Sequence, residues 1–147
     1  MCAHSLSDVL GVPMHGSFAS LSVLNEINRG LPLASLDRVA DAVAPDDAAF
    51  PHRLVPRATL ARRRQAQTRT RETTRLTPEE SARVARLAEV WTMAVDVWGS
   101  ETEARMFLFR EHPLLEGKAP VDVVLANEFG RPLVEGILGR LQYGSAV

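Results

Sequence analysis

The sequence predicts an all-α protein of two small helical domains, and three observations carry that expectation. Its 147 residues are 46% hydrophobic but only 5% aromatic, the balance of a helical globular chain rather than a disordered one. Thr77-Pro78-Glu79-Glu80, and Ser100 with Glu103, carry the capping-box signature that opens helices. Between glycine and proline punctuation, apolar residues recur every three or four positions, the period of one helix face.

The first sixteen residues hold Gly11, Pro13, Met14 and Gly16 without a sustained period and read as a flexible tail with one turn at Ser7 to Leu10. From Ser17 a helix is expected, with Phe18, Leu21, Leu24 and Ile27 on its apolar side and Gly30 at its end. Leu31 and Pro32 then turn the chain. Ser35 is placed to cap the next helix, whose Leu36, Val39, Ala40 and Val43 face inward until Pro45 stops it. Asp46 and Asp47 open a further turn; Phe50, Leu54 and Val55 belong to a small core, and Pro51 keeps any helix here short. Pro56 fits the first turn of another helix, with Thr59 and Leu60 following and Arg62 to Arg64 closing it. Over residues 17–64 this spacing suggests a compact helix-turn-helix.

A net charge of −1 conceals a partition: Arg53, Arg57, Arg62, Arg63, Arg64, Arg69, Arg71 and Arg75 face only Glu72 across the middle of the chain. Such clusters are usually solvated faces or linkers. Here, however, every cation is arginine, whose planar fork suits phosphate and guanine edges better than an ammonium does. In a helix-turn-helix the second helix enters the major groove by its N-terminal residues. Arg57, Ala58, Thr59 and Arg62 are then the base-facing candidates, with Arg63 and Arg64 among those that hold phosphates and Leu60 as the anchor. The alternative is a surface helix whose arginines solubilise the protein or pair with Asp46, Asp47 and the acidic flanks. Residues 65–75 are polar, rich in threonine and arginine, and lack an apolar period, so they read as a basic linker.

The second domain, residues 76–147, opens with the best-signed helix start in the chain: Thr77 caps, Pro78 takes the first helical position and Glu80 reaches back. Val84, Leu87, Trp91, Ala94, Val95 and Trp98 form a buried stripe that Gly99 ends. A helix through Met106, Phe107 and Phe109 follows, its aromatics expected in the core, with a ligand pocket as the alternative, and stops before His112 and Pro113. A short loop makes it antiparallel to its predecessor, and His112 is expected to cap a helix C-terminus. Two short helices fill Leu114 to Gly144. The last turns Leu133, Ile137, Leu138 and Leu141 inward, while Gly136 and Gly139 leave surfaces for close approach. Arg140, Gln142, Tyr143 and Gly144, with the small residues after them, make a C-terminal arm of types favoured at interface centres.

No glycine-rich phosphate loop, no metal-ligand cluster and no nucleophile beside a base is present, so the sequence argues against an enzyme and predicts no cofactor and no metal site. The lone Cys2 forms no disulfide within the chain. With no apolar run near ~20 residues and no export signal at the N-terminus, a cytoplasmic protein is expected.

The order of these parts resembles the toxin-binding domain of the Xre/MbcA/ParS-type antitoxins, partners of RES-domain toxins. The resemblance rests on Pro78, Glu79, Gly99, Pro113, Leu115, Gly117, Pro120, Asp122, Gly130, Val134, Leu138, Gly139, Arg140, Tyr143 and Gly144, all in family order. The run P-R-A-T-L-A-R-R-R from Pro56 also resembles the family's P-x-R/K-T-L-x-R-R, with Ala58 where a basic residue is common. Ala119 stands where the family usually has a threonine or serine cap, a loss of about 1 kcal/mol to that helix start. Pro132 is the other departure.

The resemblance implies a C-terminal domain that blocks the active site of a RES-type, NAD-consuming toxin, with Leu115, Arg140, Gln142, Tyr143 and Gly144 at the interface. It also implies operator DNA as a second partner, autoregulation, and a homodimer meeting half-sites about 34 Å apart. The rival expectation is a freestanding helix-turn-helix regulator whose C-terminal domain binds some other partner.

Overall fold

The structure is a computed structural model that describes residues 5–12 and 19–144. Cys2 and His4, the helix start expected at Ser17 with Phe18, and the last three residues of the arm lie outside the described residues. Described elements are helical apart from one isolated antiparallel bridge between Pro32 and Arg75. Two compact units emerge, Ser7–Ala85 and a second made of Arg86 onward together with the described residues up to Leu6. No described helix is long and apolar enough to cross a membrane.

The first unit contains α1 (Leu6–Leu10) from its second residue, α2 (Ala19–Arg29), α3 (Leu33–Val43), α4 (Pro51–Leu54), α5 (Arg57–Thr70) and the first turns of α6 (Pro78–Trp98). Residues 6–12, expected within a loose tail, are docked instead: Leu10 is buried, Ser35 Oγ donates to its carbonyl at 2.6 Å, and Arg38 donates to the Asp8 carbonyl at 2.7 Å. Ser35 therefore does not cap α3. That helix begins at Leu33 with Pro32 extended before it, and the serine hydroxyl is spent on holding α1. Among the described side chains of α2 Val23 is buried, whereas Leu21 and Leu24 are half exposed, so the apolar face expected to be inward is partly outward.

Two backbone hydrogen bonds flank the Pro32–Arg75 bridge, Leu33 N–H to the Thr74 carbonyl at 2.9 Å and Leu76 N–H to the Leu31 carbonyl at 2.8 Å. The buried Ser81 hydroxyl accepts from Leu31 N–H at 2.8 Å, which satisfies a donor that has no water to turn to. Gly30, at φ +93°, lets these strands meet, since a Cβ there would lie 2.4 Å from the Leu76 carbonyl oxygen. Residues 65–70, expected as linker, are the last turns of α5. Alanine, glutamine and arginine are good helix formers, so no apolar stripe is needed. Thr68 and Thr70 hydroxyls bond the carbonyls four residues back, and Arg71 closes the helix in the left-handed region.

In the second unit the rest of α6 packs with α7 (Glu101–Phe109), a 3-10 turn (Pro113–Leu115), α8 (Pro120–Ala126) and α9 (Gly130–Gln142). The capping box of α6 forms in full: Glu80 N–H donates to Thr77 Oγ1 at 3.1 Å, and Thr77 N–H to Glu80 Oε1 at 2.9 Å. Ser100 caps α7 through Glu103 N–H, and Gly99 ends α6 at φ +78°. Trp91 lies fully buried with the Arg105 guanidinium 5.4 Å from its ring centroid. The stripe continues through buried Ala94 and Val95, but Trp98 at its end is about two-fifths exposed, as are Met106 and Phe109 on α7. His112 caps a beginning rather than an end: its Nδ1 accepts from Leu114 N–H and starts the 3-10 turn. Ala119 precedes α8 without any side-chain cap, as its residue type dictates.

Candidate functional site

The helix-turn-helix elbow is α4, the extended Val55-Pro56 pair and α5. Phe50, Leu54, Val55 and Leu60 are all buried, and Arg83 Nη1 donates to the Leu54 carbonyl at 2.7 Å, so the turn is anchored from both sides. Leu60 is the sole buried residue of α5, which leaves most of that helix open to solvent.

The five arginine and threonine positions expected to meet DNA separate into two groups. Arg57 and Arg62 are exposed, and Thr59 is half-buried. Arg63 is mostly buried against the Glu80 carboxylate, in a close ion pair. Burial pushes the Glu80 carboxyl up, but the Arg63 hydrogen bond, the Thr77 N–H and the Arg63 charge together hold it below the ordinary value near 4.5. Arg64 makes a two-pronged pair with Asp37 at 2.7 and 3.0 Å, and that hydrogen bonding raises its pKa further above its ordinary value. Both cations thus have partners within the unit, Glu80 and Asp37 rather than Asp46 or Asp47.

In the second unit α9 turns Val134, Ile137 and Leu138 inward, while Leu133 and Leu141, expected inside, are about half exposed. Gly130 permits the close approach of α9 to α8, since a Cβ there would lie 1.8 Å from the Val123 carbonyl oxygen. A Cβ on Gly136 or Gly139 would meet nothing within 4 Å. Arg140 and Gln142 are exposed, Tyr143 is 83% exposed, and Gly144 turns the chain at φ +60°. Leu115 does not face outward: it is buried, pinning the 112–118 loop, and the exposed neighbour is Leu114. Arg131 bridges Glu89 at 2.6 Å and Glu135 at 3.5 Å. Burial, more than the nearby Glu89 charge, raises the Glu135 carboxyl against the pull of Arg131.

Residues 22–89 match the antitoxin Xre-like helix-turn-helix domain, and residues 93–144 match the antitoxin Xre/MbcA/ParS C-terminal toxin-binding domain. The chain belongs to the Xre/MbcA/ParS antitoxins. No curated protein matches it. This antitoxin therefore carries a DNA-binding type of domain and a toxin-binding type of domain in one chain.

Within the antitoxin's C-terminal domain lies a cleft of about 270 Å³ that the helical periodicity had assigned to core. Phe107 lies between Trp98, tilted at 39°, and His112, met edge-on at 71°, with ring centroids 6.1 and 6.2 Å away, and Glu103, Met106, Arg110, Glu111 and Leu141 complete the wall. Phe129, 84% exposed at the start of α9, is the other apolar residue that sequence reasoning missed. Its signal was available: it sits beside Gly130 at a helix boundary, where a large aromatic has no turn-forming reason to be.

Proposed function

We propose that this antitoxin belongs to a type II system, neutralises a RES-type NAD-consuming toxin by covering its active site, and represses its own operon by binding promoter DNA. The observation that carries the reading is the joining of an Xre-like helix-turn-helix domain and a toxin-binding domain in one chain. The helix-turn-helix domain matched over residues 22–89, which includes all of α5, supplies the DNA-binding part, and the domain matched over residues 93–144 the toxin-binding part. The antitoxin works in the cytoplasm as a homodimer, without a cofactor and without chemistry of its own. A dimer of this kind meets two half-sites about 34 Å apart.

Gln142, Tyr143 and Gly144 lie at the end of α9, where Leu133 and Leu141 are exposed and a Cβ on Gly136 or Gly139 would meet nothing within 4 Å. An aromatic tip beside apolar and glycine surface suits insertion into a concave partner. Leu115 and Arg140 complete the proposed toxin-binding set, the first buried in the 112–118 loop and the second exposed on α9.

Coexpression with the adjacent reading frame tests the proposal. The neighbour alone should arrest growth and deplete NAD, and the pair should form a complex that restores both. Removing residues 142–147 should abolish rescue while DNA binding survives. Rescue that survives this deletion rules out the arm, and a harmless neighbour that never copurifies rules out the antitoxin mechanism.

A further inference from the structure

We propose that the antitoxin reads its operator with one exposed stripe along α5, formed by Ala58, Arg62, Gln65 and Arg69, and that Arg63 and Arg64 are fixed structural residues. The inference rests on the DNA-binding reading above and refines it. Steps of four, three and four residues bring these positions onto a single helix face. All four are exposed.

Arg57, Ala61 and Thr68 are also exposed, but several other positions of the helix are committed elsewhere. Leu60 is buried, Arg63 pairs with Glu80, Arg64 pairs with Asp37, and Gln67 Oε1 accepts from Thr74 N–H at 3.2 Å. An arginine held in a two-pronged carboxylate pair has its orientation fixed and its charge offset by the carboxylate, so it attracts a phosphate less than an unpaired arginine does. Of the triple-arginine run, only Arg62 lies on the open face with no described ion pair.

Length and chemistry agree with this assignment. From Ala58 to Arg69 the stripe covers about 16 Å, the rise of roughly five base pairs at 3.4 Å each. A recognition helix that lies along the major groove is read by a stripe over several turns, as in homeodomains, rather than by its first turn alone. Arginine pairs with guanine O6 and N7, glutamine with adenine N6 and N7, and an alanine methyl packs on a thymine methyl. The extension of α5 to Thr70 is what brings Gln65 and Arg69 into the set.

The test uses the full-length antitoxin and duplexes it enriches from a random pool, with affinity measured by fluorescence anisotropy at one salt concentration. Gln65→Ala and Arg69→Ala should each lose about 10-fold or more in preference at one base pair. Their binding to a scrambled duplex should change much less. Arg64→Ala should leave base preference unaltered. All three sites are exposed, and helix content by circular dichroism confirms the fold of each variant. Unchanged preference in Gln65→Ala and Arg69→Ala, with wild type discriminating, overturns the stripe and leaves DNA binding standing. A wild type that enriches no sequence overturns the DNA-binding reading itself.

Discussion

Three glycines of α9 set up a comparison in which one substitution should have opposite effects within thirteen residues. Gly130→Ala places a methyl carbon 1.8 Å from the Val123 carbonyl oxygen, and real contacts of this kind essentially never fall below 3.0 Å. The start of α9 must then retreat from α8 by more than an ångström, and the obstacle is backbone rather than a side chain that can swing aside. Overpacking of this sort costs about 1–3 kcal/mol, and a rigid obstacle belongs at the upper end. Offsetting this is up to about 1 kcal/mol gained by replacing glycine in a helix. The net loss is about 2 kcal/mol, or on the order of 10 °C in the melting of a unit this small. Gly136→Ala and Gly139→Ala meet nothing within 4 Å and should each gain up to about 1 kcal/mol. Thermal unfolding followed by circular dichroism distinguishes them, with toxin capture as a second readout. If Gly130→Ala melts at or above the wild-type temperature, the close packing of α8 on α9 is refuted. Stabilised Gly136→Ala and Gly139→Ala proteins that capture toxin less well would locate the partner at that face.

Other predictions concern the first unit. Ser81→Ala strands the buried Leu31 N–H and should cost about 1–3 kcal/mol in urea unfolding, and a neutral result would mean another acceptor takes over. Because the folded value of Glu80 is lowered, its stabilisation is present above the ordinary value near 4.5 and is lost as pH falls through the lowered value. Acid should therefore narrow the stability gap between wild type and Glu80→Gln, and a gap constant with pH would count against the Arg63–Glu80 pair. Arg62→Ala should reduce the salt slope of DNA binding by about 0.9, whereas Arg63→Ala should lower stability and leave the slope nearly unchanged. Equal slopes for the two variants would mean that the ion pair opens on DNA.

What was legible in the chain was whatever is decided within one or two turns. The Thr77–Glu80 box, the Ser100 cap, the stop at Gly99 and the short helix after Pro51 all formed as the residues imply. Each depends on a hydrogen bond or a steric limit between residues at most four apart. Ser35 was misread because its residue type suits a cap, but its hydroxyl found a carbonyl 25 residues away. The last turns of α5 were missed because a search for apolar period cannot see a helix that buries only Leu60. His112 capped a 3-10 turn that the following proline permits but does not announce.

The candidate surfaces show the same division. By itself the sequence determined an all-α chain, the order of its family motifs and the arginine-rich character of α5, since these depend on local propensity and residue type. Tertiary structure alone decided which arginines remain open: Arg63 meets Glu80 across 17 residues, and Arg64 meets Asp37 across 27. It also decided that Leu115 turns inward while Leu114, Phe129 and Leu133 face solvent. Helical periodicity fixes which residues share a face, but only the neighbours packed against that face determine whether it is covered.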